Sequence, residues 1–89
     1  MNRWIPDRRP AFVKQFGRLD SAIRRRAEKA ILEILTSENP ARLGRYKQGK
    51  RVFSYELGRK YRIIHNVNWA DNTIEFLRVC DHKSAYGKD

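Results

Sequence analysis

The sequence predicts an α+β domain: two N-terminal helices packed on one face of a small, mostly antiparallel β-sheet, in the order β-α-α-β-β-β. Three observations predict it. Apolar residues recur at i, i+4, i+7, i+8, i+11 and i+12 from Ile23 to Leu35, the stripe of an amphipathic helix. From Val52 the period changes to two, the repeat of strands with one covered face. Two turn signals, Gly58-Arg59 and Ala70-Asp71-Asn72, separate the alternating runs, and tight turns make neighbouring strands antiparallel. Such a sheet needs one face covered, and the helical stripe is the available cover.

Taken in order, Trp4-Ile5 is a short apolar pair suited to an edge strand. Pro10 suits a first helical turn, where its missing N–H costs nothing. Phe12, Phe16 and Leu19 follow at helical spacing and predict a short helix over 9–17. Asp20 or Ser21 caps a second helix, whose stripe is Ile23, Ala27, Ala30, Ile31, Ile34 and Leu35. Arg24, Arg25, Glu28, Lys29 and Glu33 occupy mostly other faces. The run Arg24-Arg25-Arg26 is either a nucleic-acid contact or a solvated face. Asn39-Pro40 ends the helix, because a residue before proline disfavours the helical region.

Residues 41–51 hold Arg42, Arg45, Lys47, Lys50 and Arg51 with Gly44 and Gly49 and no acid, an irregular basic connector or a ragged strand. In the first long strand Phe53, Tyr55 and Leu57 share one face, and Val52, Ser54 and Glu56 the other. In the next, Tyr61, Ile63, His65 and Val67 alternate with Arg62, Ile64, Asn66 and Asn68. The last, over 73–80, sets Ile74, Phe76, Arg78 and Cys80 against Glu75, Leu77 and Val79. Trp4 and Trp69 are read as core or rim aromatics.

Eighty-nine residues make one domain, 1–89, with one modest core. Twenty Lys and Arg against ten Asp and Glu leave a formal charge of +10. A charge of that size on so small a domain calls for an anionic partner, nucleic acid first, with an acidic protein or a merely basic surface as alternatives. The single cysteine, Cys80, excludes an intrachain disulfide and a cysteine-based zinc site, and its apolar flank suggests a buried structural thiol. No apolar segment follows the basic N-terminus as a signal peptide requires, and no run approaches a membrane span. A cytoplasmic protein is expected.

Chemistry concentrates in the last third. If Phe53, Tyr55 and Leu57 face the helices, Tyr61, Ile63 and Val67 do so too, His65 joins the core, and Arg62 points outward beside Glu56. There it forms either a cross-strand ion pair worth about 0.2–1 kcal/mol or a planar fork aimed at a phosphate. His82, Lys83 and Tyr86 follow the last strand, and an i, i+4 spacing brings His82 and Tyr86 together if the tail turns helically. RNA is cut without metal when its own 2′-hydroxyl attacks phosphorus, given a base, an acid and cations for the crowded phosphate. Histidine suits either proton role, Arg62 and Lys83 the charge role, and Tyr86 stacking or proton donation. No metal-ligand spacing and no glycine-rich phosphate loop is present, so no cofactor is expected.

The order of elements, the Tyr61-Arg62-Ile63-Ile64 run, the closing Val79-Cys80-Asp81-His82-Lys83-Ser84-Ala85-Tyr86, Asn39-Pro40 and the Leu57-Gly58 turn together resemble the RelE/ParE superfamily of toxins from type II toxin–antitoxin pairs. The resemblance covers nearly the whole chain. On the RelE-like side it implies a ribosome-dependent, metal-independent endoribonuclease that cuts mRNA and leaves a 2′,3′-cyclic phosphate. Arg62 matches the strand arginine used on the phosphate, Tyr86 the tail tyrosine, and His82 a basic or histidine position. Lys83 stands where an arginine is common. Ser54 and Glu56 stand where some members place lysines, which leaves Glu56 or His82 as base and acid. Arg45, Lys47, Lys50, Arg51, Arg59 and Lys60 would grip the RNA or ribosome backbone. The implied partners are a cognate antitoxin, ribosome and mRNA, with no membrane. The alternatives are a ParE-like inhibitor of DNA gyrase and a non-enzymatic basic RNA-binding protein.

Overall fold

The computed structural model describes residues 3–49 and 51–81. Its elements run β1 (Ile5–Arg8), α1 (Pro10–Gly17), α2 (Ser21–Thr36), a 3₁₀ turn (Pro40–Arg42), β2 (Arg45–Lys47), β3 (Val52–Glu56), β4 (Tyr61–Asn68) and β5 (Thr73–Asp81). One sheet has the order β1-β5-β4-β3-β2. Every pairing is antiparallel except β1 with β5, which is parallel. The two helices follow β1 as a crossover, and β1 then closes the open side of β5.

The helices form where capping and patterning predict them. Pro10 opens α1. The Asp20 carboxylate caps α2 by accepting from the Ile23 N–H at 3.0 Å, satisfying one of the first-turn donors that have no partner within the helix. Ala27, Ala30, Ile31, Ile34 and Leu35 are the buried face of α2. The helix stops at Thr36, ahead of Asn39-Pro40, because Ser37 turns to extended backbone. Arg24 is half-buried and donates to the Leu19 carbonyl at 2.9 Å, so this member of the arginine run holds the turn between the helices. Arg25 and Arg26 are exposed.

The core lies between the helices and one sheet face. Its deepest members are Phe12, Ile34, Ile63, Ile74, Phe76, Val79 and His65. A row of rings crosses this face: Tyr46 to Phe53 at 5.0 Å, Phe53 to His65 at 5.6 Å, His65 to Phe76 at 6.3 Å, then Phe76 to Phe12 at 5.4 Å and Phe12 to Phe16 at 5.9 Å. Trp4 is buried, and Trp69, 59 % exposed, meets its ring at 79°, so the two are core and rim respectively. Beyond Phe76, β1 no longer covers β5, and the Gln15 side chain accepts the Val79 N–H there at 2.9 Å.

Of the two readings open for 41–51, connector or ragged strand, the structure bears out the strand. The stretch 41–51 contains a strand, β2, too short to show alternation, so the sheet has five strands. The first strand is Ile5–Arg8, longer than the Trp4-Ile5 pair, because its polar residues 6–8 sit at an edge. One expectation needs correction, and it concerns faces. The pairing of β4 with β5 shifts between Ile64 and His65: Ile64 faces Arg78 while His65 faces Phe76, leaving Leu77 as an extra residue. This bulge reverses the alternation beyond it. Val79 enters the core, and Arg78 and Cys80 move to the opposite face. Cys80 is half-buried there and is not a core thiol.

Gly44 is required where it stands. It has φ +83°, and a Cβ on it would lie 2.6 Å from the Ser54 carbonyl oxygen. Left-handed backbone and a backbone clash act together. Gly44→Ala is expected to destabilise the fold by about 1–3 kcal/mol, read as a lower urea midpoint at unchanged m-value.

Candidate functional site

The face of the sheet turned away from the helices carries the chemistry, and the strand register arranges it in rows. One row is Glu56, Arg62 and Cys80, and the next is Arg45, Ser54, Ile64 and Arg78. Lys47 opposite Val52, and Asn66 opposite Glu75, continue the face further along the strands. Neighbours within a row stand about 4.5–5.5 Å apart, and diagonal neighbours about 7–8 Å. Among the described residues, four strand cations therefore share this face with three carboxylates, Glu56, Glu75 and Asp7, the last opposite Glu75 on β1; Arg9 holds both Glu75, at 3.3 Å, and Asp7, at 3.4 Å.

Arg62 sits in the middle. Its side chain is 18 % exposed, against 55 % for Glu56, and the closest nitrogen–oxygen approach is 3.9 Å. The cross-strand pair forms, but beyond hydrogen-bonding distance. The guanidinium fork is thus desolvated on its flanks and still has donors to offer, the condition in which an arginine binds two phosphate oxygens strongly. Ser54, one row up, is buried at 2 % exposure, and its Oγ has no hydrogen-bond partner.

The other predicted residues are dispersed. Arg45 is exposed and Lys47 half-buried, both on β2. Arg51, with φ 57°, is exposed just before β3. Arg59 and Lys60 are exposed beyond its far end, and the Lys60 ammonium lies 5.7 Å from the Tyr61 ring centroid. The length of β3 separates these groups, so the basic residues form no single patch. Lys50, His82, Lys83 and Tyr86 lie outside the described residues. Among the described residues, no group of three or more His, Cys, Asp or Glu is placed to hold a metal ion, and no helix is long and apolar enough to cross a membrane.

Histidine 65 has no place in the site. Burial lowers its pKa to about 4, offset only in part by the Ile63 backbone, which stands outside hydrogen-bonding geometry to either ring nitrogen. On the helix side, the Tyr55 hydroxyl donates to Glu33. Burial first, then this bond and the Glu33 charge, push the Tyr55 phenol up to about 12.

Arg78 is the residue that strict alternation misassigns. The signal for it is in the sequence: Phe76 and Leu77 are adjacent apolar residues in an otherwise alternating strand, the mark of a one-residue phase slip.

A model for the ParE toxin of a type II toxin–antitoxin system, parDE, matches residues 8–86. The chain belongs to this toxin family, within the RelE/ParE superfamily. No curated protein sequence matches it. Among solved structures, the toxin is similar to the Escherichia coli RelBE toxin–antitoxin complex, with TM-score 0.76 and 18 % identity over 88 % of this chain and 95 % of that one. It is similar also to the archaeal RelE–RelB complex from Pyrococcus horikoshii OT3, with TM-score 0.69 and 26 % identity over 93 % and 99 %. The RelBE2 toxin–antitoxin complex from Mycobacterium tuberculosis matches with TM-score 0.65 and 19 % identity over 90 % and 99 %. Two helices on a five-stranded, mostly antiparallel sheet are thus the fold of this superfamily.

Proposed function

We propose that this toxin is an mRNA endoribonuclease working on the ribosome in the cytoplasm, without metal, through attack of the substrate's own 2′-hydroxyl. The observation that carries the reading is Arg62: a largely buried guanidinium on the outer sheet face, loosely paired to Glu56 at 3.9 Å, with Arg45 and Arg78 in the adjacent row. The 2′-oxygen bonds to phosphorus and the 5′-oxygen leaves, giving a 2′,3′-cyclic phosphate and a 5′-hydroxyl. Arg62 and Lys83 carry the charge of the five-coordinate phosphate. Glu56 or His82 takes the 2′-hydroxyl proton, and the other supplies the proton of the leaving oxygen. Tyr86 stacks on a base beside the cleaved bond or donates a proton. Arg45, Lys47, Lys50, Arg51, Arg59 and Lys60 hold RNA or ribosome backbone at separate points.

The partner that restrains the toxin is a cognate antitoxin, an acidic or amphipathic extended segment lying across the helices and the sheet. Solved relatives are complexes of a toxin with its antitoxin, and the net charge of +10 suits an acidic clamp. The ParE name of the matching family model favours a second reading, inhibition of DNA gyrase. Inducing the chain in cells and mapping RNA 5′ ends and DNA breaks in parallel separates the two. Cuts inside translated messages are the expected result. DNA breaks with intact messages would establish the gyrase reading, and growth unaffected by induction would overturn both.

A further inference from the structure

We propose that Ser54 and Arg45 form a second phosphate subsite on the outer face, seating the phosphodiester next in line to the one held by Arg62 on a single RNA strand; this rests on the ribonuclease reading above. A cleft of about 270 Å³ opens beside β2, lined by Gly44, Arg45, Ser54, Tyr55 and Glu56. Register places the side chains of Arg45, Ser54 and Glu56 on the same face. The Ser54 hydroxyl is buried without a partner. A buried hydroxyl left unpaired lowers stability, and such groups in a folded protein call for an explanation. A ligand entering the cleft supplies one.

The surroundings select the ligand. The close approach of Gly44 to the Ser54 carbonyl presses the start of β2 onto β3 and sets Arg45 directly opposite Ser54. Arg45 is exposed and makes no ion pair among the described residues. Among the described residues lining the cleft, the one carboxylate, Glu56, lies toward Arg62 and pairs with it, which leaves the Arg45 side cationic. A hydroxyl donor beside a guanidinium fork fits the oxygens of a phosphate. Ser54 is also the diagonal neighbour of Arg62, about 7–8 Å away across the sheet. That separation suits successive phosphates of one extended strand.

The test uses the whole chain and a short single-stranded RNA made uncleavable by 2′-deoxy riboses, together with a set of versions each carrying one neutral methylphosphonate. Affinities are read by fluorescence anisotropy. Ser54→Ala and Arg45→Ala are each expected to weaken the fully charged strand by about five- to tenfold, the scale of one hydrogen bond to a charged group. Neither should matter for the strand whose methylphosphonate lies next to the phosphate that Arg62 reads. Ser54→Ala should also raise Tm by a few degrees, about what removing an unpaired buried hydroxyl contributes in a domain of this size. A hydroxyl kept for structure would give the opposite shift. Unchanged affinity in Ser54→Ala, with Arg62→Ala weakened, would overturn the subsite and leave the ribonuclease reading standing. Unchanged affinity in all three variants would overturn both the subsite and the assignment of Arg62 to a neighbouring phosphate, while the ribonuclease reading is tested separately by message cleavage in induced cells.

Discussion

Replacing Arg62 with alanine is expected to lower message cleavage in induced cells by about 10²–10³-fold, the usual effect of deleting one group that stabilises a developing oxyanion. The chain should fold as before. Arg62 lies on the outer face, its contact with Glu56 is a 3.9 Å pair with an exposed carboxylate, and such pairs contribute little to stability. Arg62→Lys should recover only part of the activity, since an ammonium keeps the charge and loses the two-pronged geometry. Mapping RNA 5′ ends measures the first effect, and thermal melting of the purified variant checks the second. Full cleavage by Arg62→Ala at normal expression would remove this residue from the mechanism and return it to the role of cross-strand partner.

Acidification between pH 6.5 and 4 should destabilise the fold, and His65 should be the cause. An unfolded histidine takes its proton near pH 6.5, whereas the buried His65 ring does so only near 4. Between those values the unfolded chain binds a proton that the folded chain refuses. The stability due to the neutral ring is therefore whole above pH 6.5 and is lost as pH falls toward 4, about 3 kcal/mol in all. For a domain of this size that is on the order of 15 °C in Tm. Carboxylates add their own slope, so the informative quantity is the difference from His65→Leu. That variant replaces a ring whose two nitrogens lack hydrogen bonds with an apolar side chain of similar bulk. It should be at least as stable as the natural chain at pH 7 and progressively more so at lower pH. Parallel pH profiles for the two proteins would show that the ring is protonated without cost.

Much of this fold was legible because its long elements obey one period each. The α2 stripe and the alternation in β3 and β4 predict both the helical cover and the outward turn of Arg62, and the same alternation puts His65 in the core. Short or non-local features escaped. A three-residue strand such as β2 contains too few side chains for any period, and its glycine- and arginine-rich neighbourhood reads equally as a connector or a ragged strand. The parallel partnership of β1 with β5 joins residues nearly seventy positions apart, as in Ile5 opposite Thr73, and no local pattern encodes it. The bulge at Leu77 was visible only as two adjacent apolar residues, and missing it turns Arg78 and Cys80 to the wrong face. Ser54 had no signal, since its interest comes from burial without a partner. The tail residues His82, Lys83 and Tyr86 rest on sequence and resemblance alone.

The sheet ends in β1 on one side and β2 on the other. Neither end invites another sheet to join it. The edge strand β1 has four residues, including a proline without an amide hydrogen, an aspartate and an arginine, and β2 has three, two of them cationic. Two copies meeting at β2 would bring like charges together, and at β1 the proline interrupts the ladder, in each case over a stretch too short for stable pairing. A protein with a single small core, transiently open during synthesis, thus carries its own guard against fibrous self-association. Concentrated solutions should remain dispersed at low salt, where the repulsion between edges is strongest.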